Sequence, residues 1–203
     1  IYTLSLHDAL PIWSALPELT AGWLCYERRL STANEIREIR IEDGKGDSAH
    51  HLTTCVTLDS SAAGIAASTW RRPVKEWEWL YALQSRFDQE RPLRRKTKAS
   101  HSCMLAYLGS GQCKVLFHSE DAGRHSAMDK AIGWGILHRV ALSECVLFTS
   151  GRISETMTEK AAVAGLRALT TGKPLVSTGA VETAERTGLL LAGLNREIGR
   201  AHV

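Results

Sequence analysis

Apolar positions recur at two different periods along this chain, and the changes of period mark out its elements. Over 18–30, "ELTAGWLCYERRL" sets Leu19, Trp23 and Tyr26 on one side at helical spacing and predicts a helix. "TANE" follows as a capping box from Thr32 to Glu35, and Ile39 and Ile41 then alternate with Arg40 and Glu42 in a short strand. "EDGKGDS" reads as a loop. The stretch "LTTCVTLDSSAAGIAAS", 52–68, is small and rich in Ser and Thr, and predicts a flexible segment carrying Cys55. From Pro73, "PVKEWEWLYALQSRFDQERP" brings Val74, Trp77, Leu80, Tyr81 and Phe87 onto one face, an amphipathic helix that stops before Pro92.

The second half changes rhythm. "SCMLAYL" and "CKVLFH" flank "GSG" and predict a hairpin, followed by a helix over "AMDKAIGWGILHRV". A buried-type strand, "ECVLFTS", leads through "SGRIS" into a second helix, "ETMTEKAAVAGLRAL". Gly172 and Pro174 break the chain before "PLVS", and a shorter "VETAERTG" helix leads to "LLLAG". Strands alternating with helices predict an α/β fold, a layered sheet with helices on its faces.

Composition narrows the class. The 203 residues and 44% hydrophobic content support one substantial core with a small appended lobe. The net charge of +3 is spread among acids without interleaved aromatics, which argues against a nucleic-acid partner. No apolar run approaches the ~20 residues of a membrane span, and no basic region precedes a signal-like stretch, so the expectation is a soluble, cytoplasmic protein with no membrane partner. The five cysteines form no CxxC pair, which favours reduced thiols, with Cys25, Cys103 and Cys145 in apolar surroundings as core residues. "IYTLSLHDALPI", 1–12, and "REIGRAHV", 196–203, continue no neighbouring pattern and resemble adapter read-through, leaving 13–60 as a partial N-terminal lobe and 61–195 as an α/β cofactor-binding domain.

The candidate chemistry lies at two turns. "SEDAGRHS" and "TSGRIS" both fall where a strand ends and a helix begins, the edge at which α/β sheets hold ligands. Each joins a Gly to an Arg and to helix N-terminal amides of partial positive charge. Gly123 with Arg124, and Gly151 with Arg152 beside Ser150, could thus grip two phosphates or a diphosphate. Asp121, His125 and Asp129 are expected to orient the arginines or to meet ligand hydroxyl and amide groups, with Lys130 alongside. His101 and His118 read equally as core or site residues. His118-Ser119-Glu120 spells the H-x-E of zinc deaminases, but no P-C-x-x-C follows, and no metal is expected.

"EDAGRHSAMDKAIG", "LFTSGRISETMTEKAAVAG", "SHSCML" and "ELTAGWLCYERRLSTANEI" together resemble the formate dehydrogenase accessory sulfurtransferase family, FdhD, over about residues 17 to 193. The resemblance implies a cytidine deaminase-like fold without the zinc site and a homodimer. It also implies a cytosolic enzyme that takes sulfur from a cysteine desulfurase and passes it to the bis-molybdopterin guanine dinucleotide molybdenum cofactor of formate dehydrogenase, a ligand that a guanine nucleotide would mimic. In that likeness Cys55 takes the place of the first cysteine of the family's loop as sulfur carrier, with Leu58 where the second stands. The cofactor would be met by His101, Asp121, Gly123, Arg124, His125, Asp129, Lys130, Ser150, Gly151 and Arg152. Two other functions fit the residues: an escort that binds the molybdenum cofactor or a nucleotide without sulfur transfer, and an α/β enzyme using Asp121 and His125 as an acid–base pair.

Overall fold

The computed structural model describes residues 2–5, 14–27, 30, 32–44, 51–58, 78–108, 113–172, 176–194 and 201–202. In chain order the elements are β1 (Tyr2–Ser5), α1 (Leu16–Tyr26), β2 (Ile36–Gly44), β3 (His51–Leu58), α2 (Glu78–Gln89), α3 (Pro92–Thr97), β4 (His101–Leu108) and β5 (Cys113–Asp121). After these come α4 (Arg124–Leu137), β6 (Cys145–Thr149), α5 (Glu155–Val163), β7 (Ala168–Thr171), α6 (Thr178–Thr187), β8 (Leu190–Leu194) and β9 (Ala201–His202). They form a six-stranded sheet in the order β5-β4-β6-β7-β8-β9 and a three-stranded sheet in the order β1-β3-β2. The α/β layering expected from the sequence is present.

In the large sheet, β4 and β5 form the expected antiparallel hairpin, with His101 opposite Asp121. β6 runs antiparallel to β4 and parallel to β7, which is in turn parallel to β8. Because β4 enters where β5, β6 and β7 leave, one edge of the sheet collects His101, the β5–α4 turn and the β6–α5 turn. β6 is buried along its whole length, which is why "CVLFT" reads as an unbroken apolar run and not as an alternation.

Alternation survives in β4, and it divides the core. Cys103 and Leu105 face a cluster with Met128 and Ile132 of α4 and Met157 and Ala161 of α5. Met104, Ala106 and Leu108 face the other side, where Leu80, Leu83 and Phe87 of α2 close over Val146 and Phe148. α1 covers α4 at backbone contact. A Cβ on Gly22 would lie 1.9 Å from the Asp129 carbonyl oxygen, and one on Gly133 would lie 1.8 Å from that of Glu18. Only glycine permits this crossing.

Several expectations are corrected. Cys55 does not lie in a flexible segment: it is in β3, the central strand of the small sheet, opposite Thr3 of β1 and Arg40 of β2. The β-branched run "TTCVT" suits a pleated strand, and the remainder of the expected loop, 59–68, lies outside the described residues. The helix predicted over "ETMTEKAAVAGLRAL" stops earlier than its periodicity suggested, as α5 (Glu155–Val163). Gly165 takes φ 71°, and the bonds Gly165 N to Ala162 O and Leu166 N to Ala161 O close a Schellman end, which frees Ala168–Thr171 to become β7. On α2 the buried face is Leu80, Leu83 and Phe87, while Tyr81 is exposed; Pro73, Val74 and Trp77 lie outside the described residues. Pro92 ends α2 as expected and also opens α3, where its missing N–H costs nothing at the first turn. At the chain ends, the backbone of β1 pairs with β3 and that of β9 with β8.

Candidate functional site

The site residues converge because three elements end at one sheet edge. Ser119 of β5 donates its hydroxyl to the Ala127 carbonyl at 2.6 Å, which seats α4 on the strand it follows. Gly123 caps α4, its N–H donating to Asp121 Oδ1 at 3.1 Å. Across the edge, Ser102 N donates to Ser150 Oγ at 2.9 Å and Ser150 N to Ser102 O at 2.9 Å, carrying the β4–β6 ladder one step past the strand. Gly151 is then held by its N–H on Thr149 Oγ1 at 3.2 Å and by its carbonyl, which accepts from Thr171 Oγ1 at 2.8 Å.

This fixes the meeting of the two turns. A Cβ on Gly151 would lie 3.3 Å from Arg124 Cβ and Cδ and 3.6 Å from His101 Nδ1. Gly151, Arg124 and His101 thus form one close-packed corner, with a glycine where the arginine stem crosses the loop. The Nε of Arg124 and Nε2 of His125 are both buried without a hydrogen-bond partner. Arg152, by contrast, is exposed on the β6–α5 turn. The second Gly-Arg turn contributes its glycine to the corner as a platform for the first turn's arginine.

Beneath the corner lie two buried ion pairs. Lys130 Nζ donates to Asp121 Oδ2 at 2.6 Å, with side-chain exposures of 1% and 0%. Lys160 Nζ meets Asp129 Oδ1 at 2.7 Å and Oδ2 at 2.6 Å, and lies 5.1 Å over the Tyr26 ring. The expectation that Asp121 and Asp129 orient the arginines is therefore corrected: the two carboxylates serve buried lysines. A fully buried Asp121 held by Lys130 is also a poor partner for His125 in acid–base work, so the third function considered from the sequence loses its geometry.

Burial and neighbouring cations together set the electrostatics of the corner. Burial pushes the Asp129 carboxyl up to about 6, against the opposing pull of Lys160. His125 is held below its ordinary value by burial first, then by Lys160, Arg124 and His101. His101 is lowered by burial, Arg124 and Arg94. Imidazoles that burial and cations keep neutral, beside guanidinium groups with no ion pair among the described residues, leave room for a ligand that brings negative charge. Among the described residues, no carboxylate forms an ion pair with Arg124.

The thiols separate clearly. Burial pushes Cys25, Cys103 and Cys145 up to about 12, so none of them supplies a thiolate near neutrality. Cys55 is partly exposed, on the face of β3 opposite to the buried Thr54 and Val56. Across from it, Arg40 lies in an exposed pair with Glu38 at 2.8 Å. A cavity of about 420 Å³, lined by Cys25, Asn34, Ile136, Arg139 and Val140 among others, opens at the far end of α4.

Lys160 and Arg94 were not singled out from the sequence. Lys160 carried a signal: it falls on the Met157, Ala161, Ala164 stripe of α5, where a lysine is out of place unless it is paired. Arg94 carried none, because its position depends on a contact between α3 and β5.

The FdhD/NarQ family model matches residues 9–202. Relatives named "Sulfur carrier protein FdhD" include one from Corynebacterium efficiens, 33% identical over 150 residues, covering 68% of this chain and 53% of the relative. Another, from Sulfolobus acidocaldarius, is 28% identical over 199 residues, covering 88% and 75%. A third, from Nocardia farcinica, is 46% identical over 79 residues, covering 38% of this chain and 28% of the relative. The chain thus spans about half or less of the length of some curated relatives that it matches. A crystal structure of a formate dehydrogenase accessory protein from Desulfotalea psychrophila shares the fold, with a TM-score of 0.71 at 24% identity over 95% of this chain and 78% of that one.

Proposed function

This chain belongs to the FdhD/NarQ family, and from that premise we propose that it is a sulfur carrier in the maturation of formate dehydrogenase. Its cargo is the bis-molybdopterin guanine dinucleotide molybdenum cofactor, gripped through its phosphates at the corner of Arg124, His125, His101 and Gly151. The observation that carries this reading is the meeting of the two turns there, with Arg124 Nε and His125 Nε2 buried and unpartnered. An arginine whose Nε is buried with no carboxylate partner suits a multi-oxygen anion. In the intact assembly the working unit is a homodimer in the cytoplasm.

Sulfur enters at Cys55, the thiol left best placed by the burial that raises Cys25, Cys103, Cys145 and Cys113. The Cys55 thiolate attacks the terminal sulfur of a persulfide on a cysteine desulfurase. A new S–S bond forms on Cys55, the donor's S–S bond breaks, and the donor cysteine leaves as a thiolate. Release of that sulfur as sulfide takes two electrons, which a dithiol reductant supplies, and returns Cys55 to the thiol.

A second reading is favoured by one observation: Cys55 is fixed within a strand, with Leu58 and not a second thiol three positions on. On this reading the chain escorts the cofactor without carrying sulfur. The two part in one experiment, incubation with a cysteine desulfurase and cysteine, then mass spectrometry after alkylation that separates persulfide from thiol. Extra sulfur on Cys55, absent in Cys55→Ser, supports the carrier. A folded chain that gains no sulfur yet is stabilised by GDP supports the escort.

A further inference from the structure

The stretch 91–98 places Arg91, Arg94, Arg95, Lys96 and Lys98 within eight positions, and it is pinned beside the corner. The pin is Glu120 of β5. Its carboxylate accepts from Leu93 N at 2.7 Å and Arg94 N at 2.9 Å, and from the Ser100 and Ser102 hydroxyls at 3.2 and 3.3 Å. At the other end of α3, Lys98 takes a left-handed φ of 59° and donates its N–H to Arg94 O at 2.9 Å, so that the chain turns back at once into β4. A side chain that bears a Cβ is strained there, and the strain is held by the bonds at both ends.

Glu120 uses its charge on backbone amides and hydroxyls, not on a guanidinium. Arg94 extends along the start of β4, Nη1 donating to Ser100 O at 3.2 Å. The neighbouring His101 feels both Arg124 and Arg94. Among the described residues, no carboxylate forms an ion pair with Arg94. Cations from α4 and α3 therefore flank one imidazole, and among the described residues neither guanidinium is ion-paired. Such a pair suits an anion with two charged groups joined by a short link, as in a diphosphate.

We infer that α3 is a second anion subsite, in which Arg94 grips the further phosphate of a nucleoside diphosphate whose nearer phosphate lies at Arg124, and that Glu120 is the residue positioning it. This rests on the phosphate-binding reading of the corner. The test is calorimetric titration of the whole chain with GDP and with GMP. GDP should bind about tenfold more tightly than GMP, the worth of one charge-assisted contact. Arg94→Ala should weaken GDP by about tenfold while GMP changes by less than about twofold, and Arg94→Lys should restore part of the difference.

Arg94 is exposed, so its loss leaves the fold intact. Glu120→Gln should reduce the GDP-to-GMP ratio in the same direction, whereas a merely structural role would lower the melting temperature and leave the ratio unchanged. Arg124→Ala should weaken both nucleotides. If Arg94→Ala keeps the full preference for GDP while Arg124→Ala still weakens both, the subsite is overturned and the corner stands. If the native chain binds neither nucleotide, the corner reading falls, and the subsite falls with it.

Discussion

The corner and the Cys55 sheet both place acids beside bases, yet they handle charge in opposite ways. In the corner, Asp121–Lys130 and Asp129–Lys160 are shut away from water, with side-chain exposures of 7% or less. On the small sheet, Arg40–Glu38 has exposures of 64% and 46%. Buried charges are costly to strand and hold their neighbours in fixed geometry, whereas exposed ones are screened and replaceable. The difference marks where the molecule holds a fixed electrostatic field: under the corner and not around the thiol.

The comparison can be broken most forcefully at Lys130. Lys130→Met leaves Asp121 buried without its countercharge and should cost about 3–5 kcal/mol in urea denaturation. Asp121→Asn combined with Lys130→Met should recover most of that loss, since the stranded charge is then gone. Next, Gly133→Ala forces a Cβ onto the Glu18 carbonyl and should cost about 3 kcal/mol, prising α1 from α4 and disturbing the seat of Asp129.

A third effect sharpens the contrast through pH. Folding raises the Asp129 carboxyl from 3.8 to about 6, so between those values the folded state keeps a proton that the unfolded chain has released. That residue's contribution to stability therefore falls as pH climbs through the window, by ~3 kcal/mol. Asp129→Asn should remove this slope from urea midpoints measured between pH 4 and pH 7. His125 acts with the opposite sign: its pKa is lowered on folding, so its share of stability is lost as pH falls below the ordinary histidine value of 6.5, and His125→Gln should flatten that limb. Smallest of all, Glu38→Gln should leave the urea midpoint within measurement error, because both members of its pair are in water. A large loss from Glu38→Gln would erase the distinction between the two regions.

Much of the large sheet was legible in the chain. The β4–β5 hairpin, the apolar β6 and the two Gly-Arg turns are local patterns, set by period and by glycine. The Cys55 region was misread because small β-branched residues suit a loop and a paired strand alike, and only pairing partners distant in sequence decide between them. The end of α5 was misread because an apolar period continues through Gly165, while the backbone there turns left-handed.

The site divides along the same line. Its residue types, Arg124, His125 and Gly151, stand in the sequence as short motifs, since helix caps and tight turns are local chemistry. Which partner each acid meets is not local: Asp129 finds the Lys160 ammonium thirty-one positions away, and Glu120 finds the backbone N–H of Arg94 across twenty-six. The sequence by itself determined the α/β order and the two Gly-Arg turns, because those depend on neighbours within a few residues. Only the tertiary structure decided that the second turn packs its glycine against the first turn's arginine, that two of the expected ligand-facing acids are sealed beneath them, and that α3 stands beside the corner. Burial and countercharge are properties of packed neighbours, and a chain acquires them only when it folds.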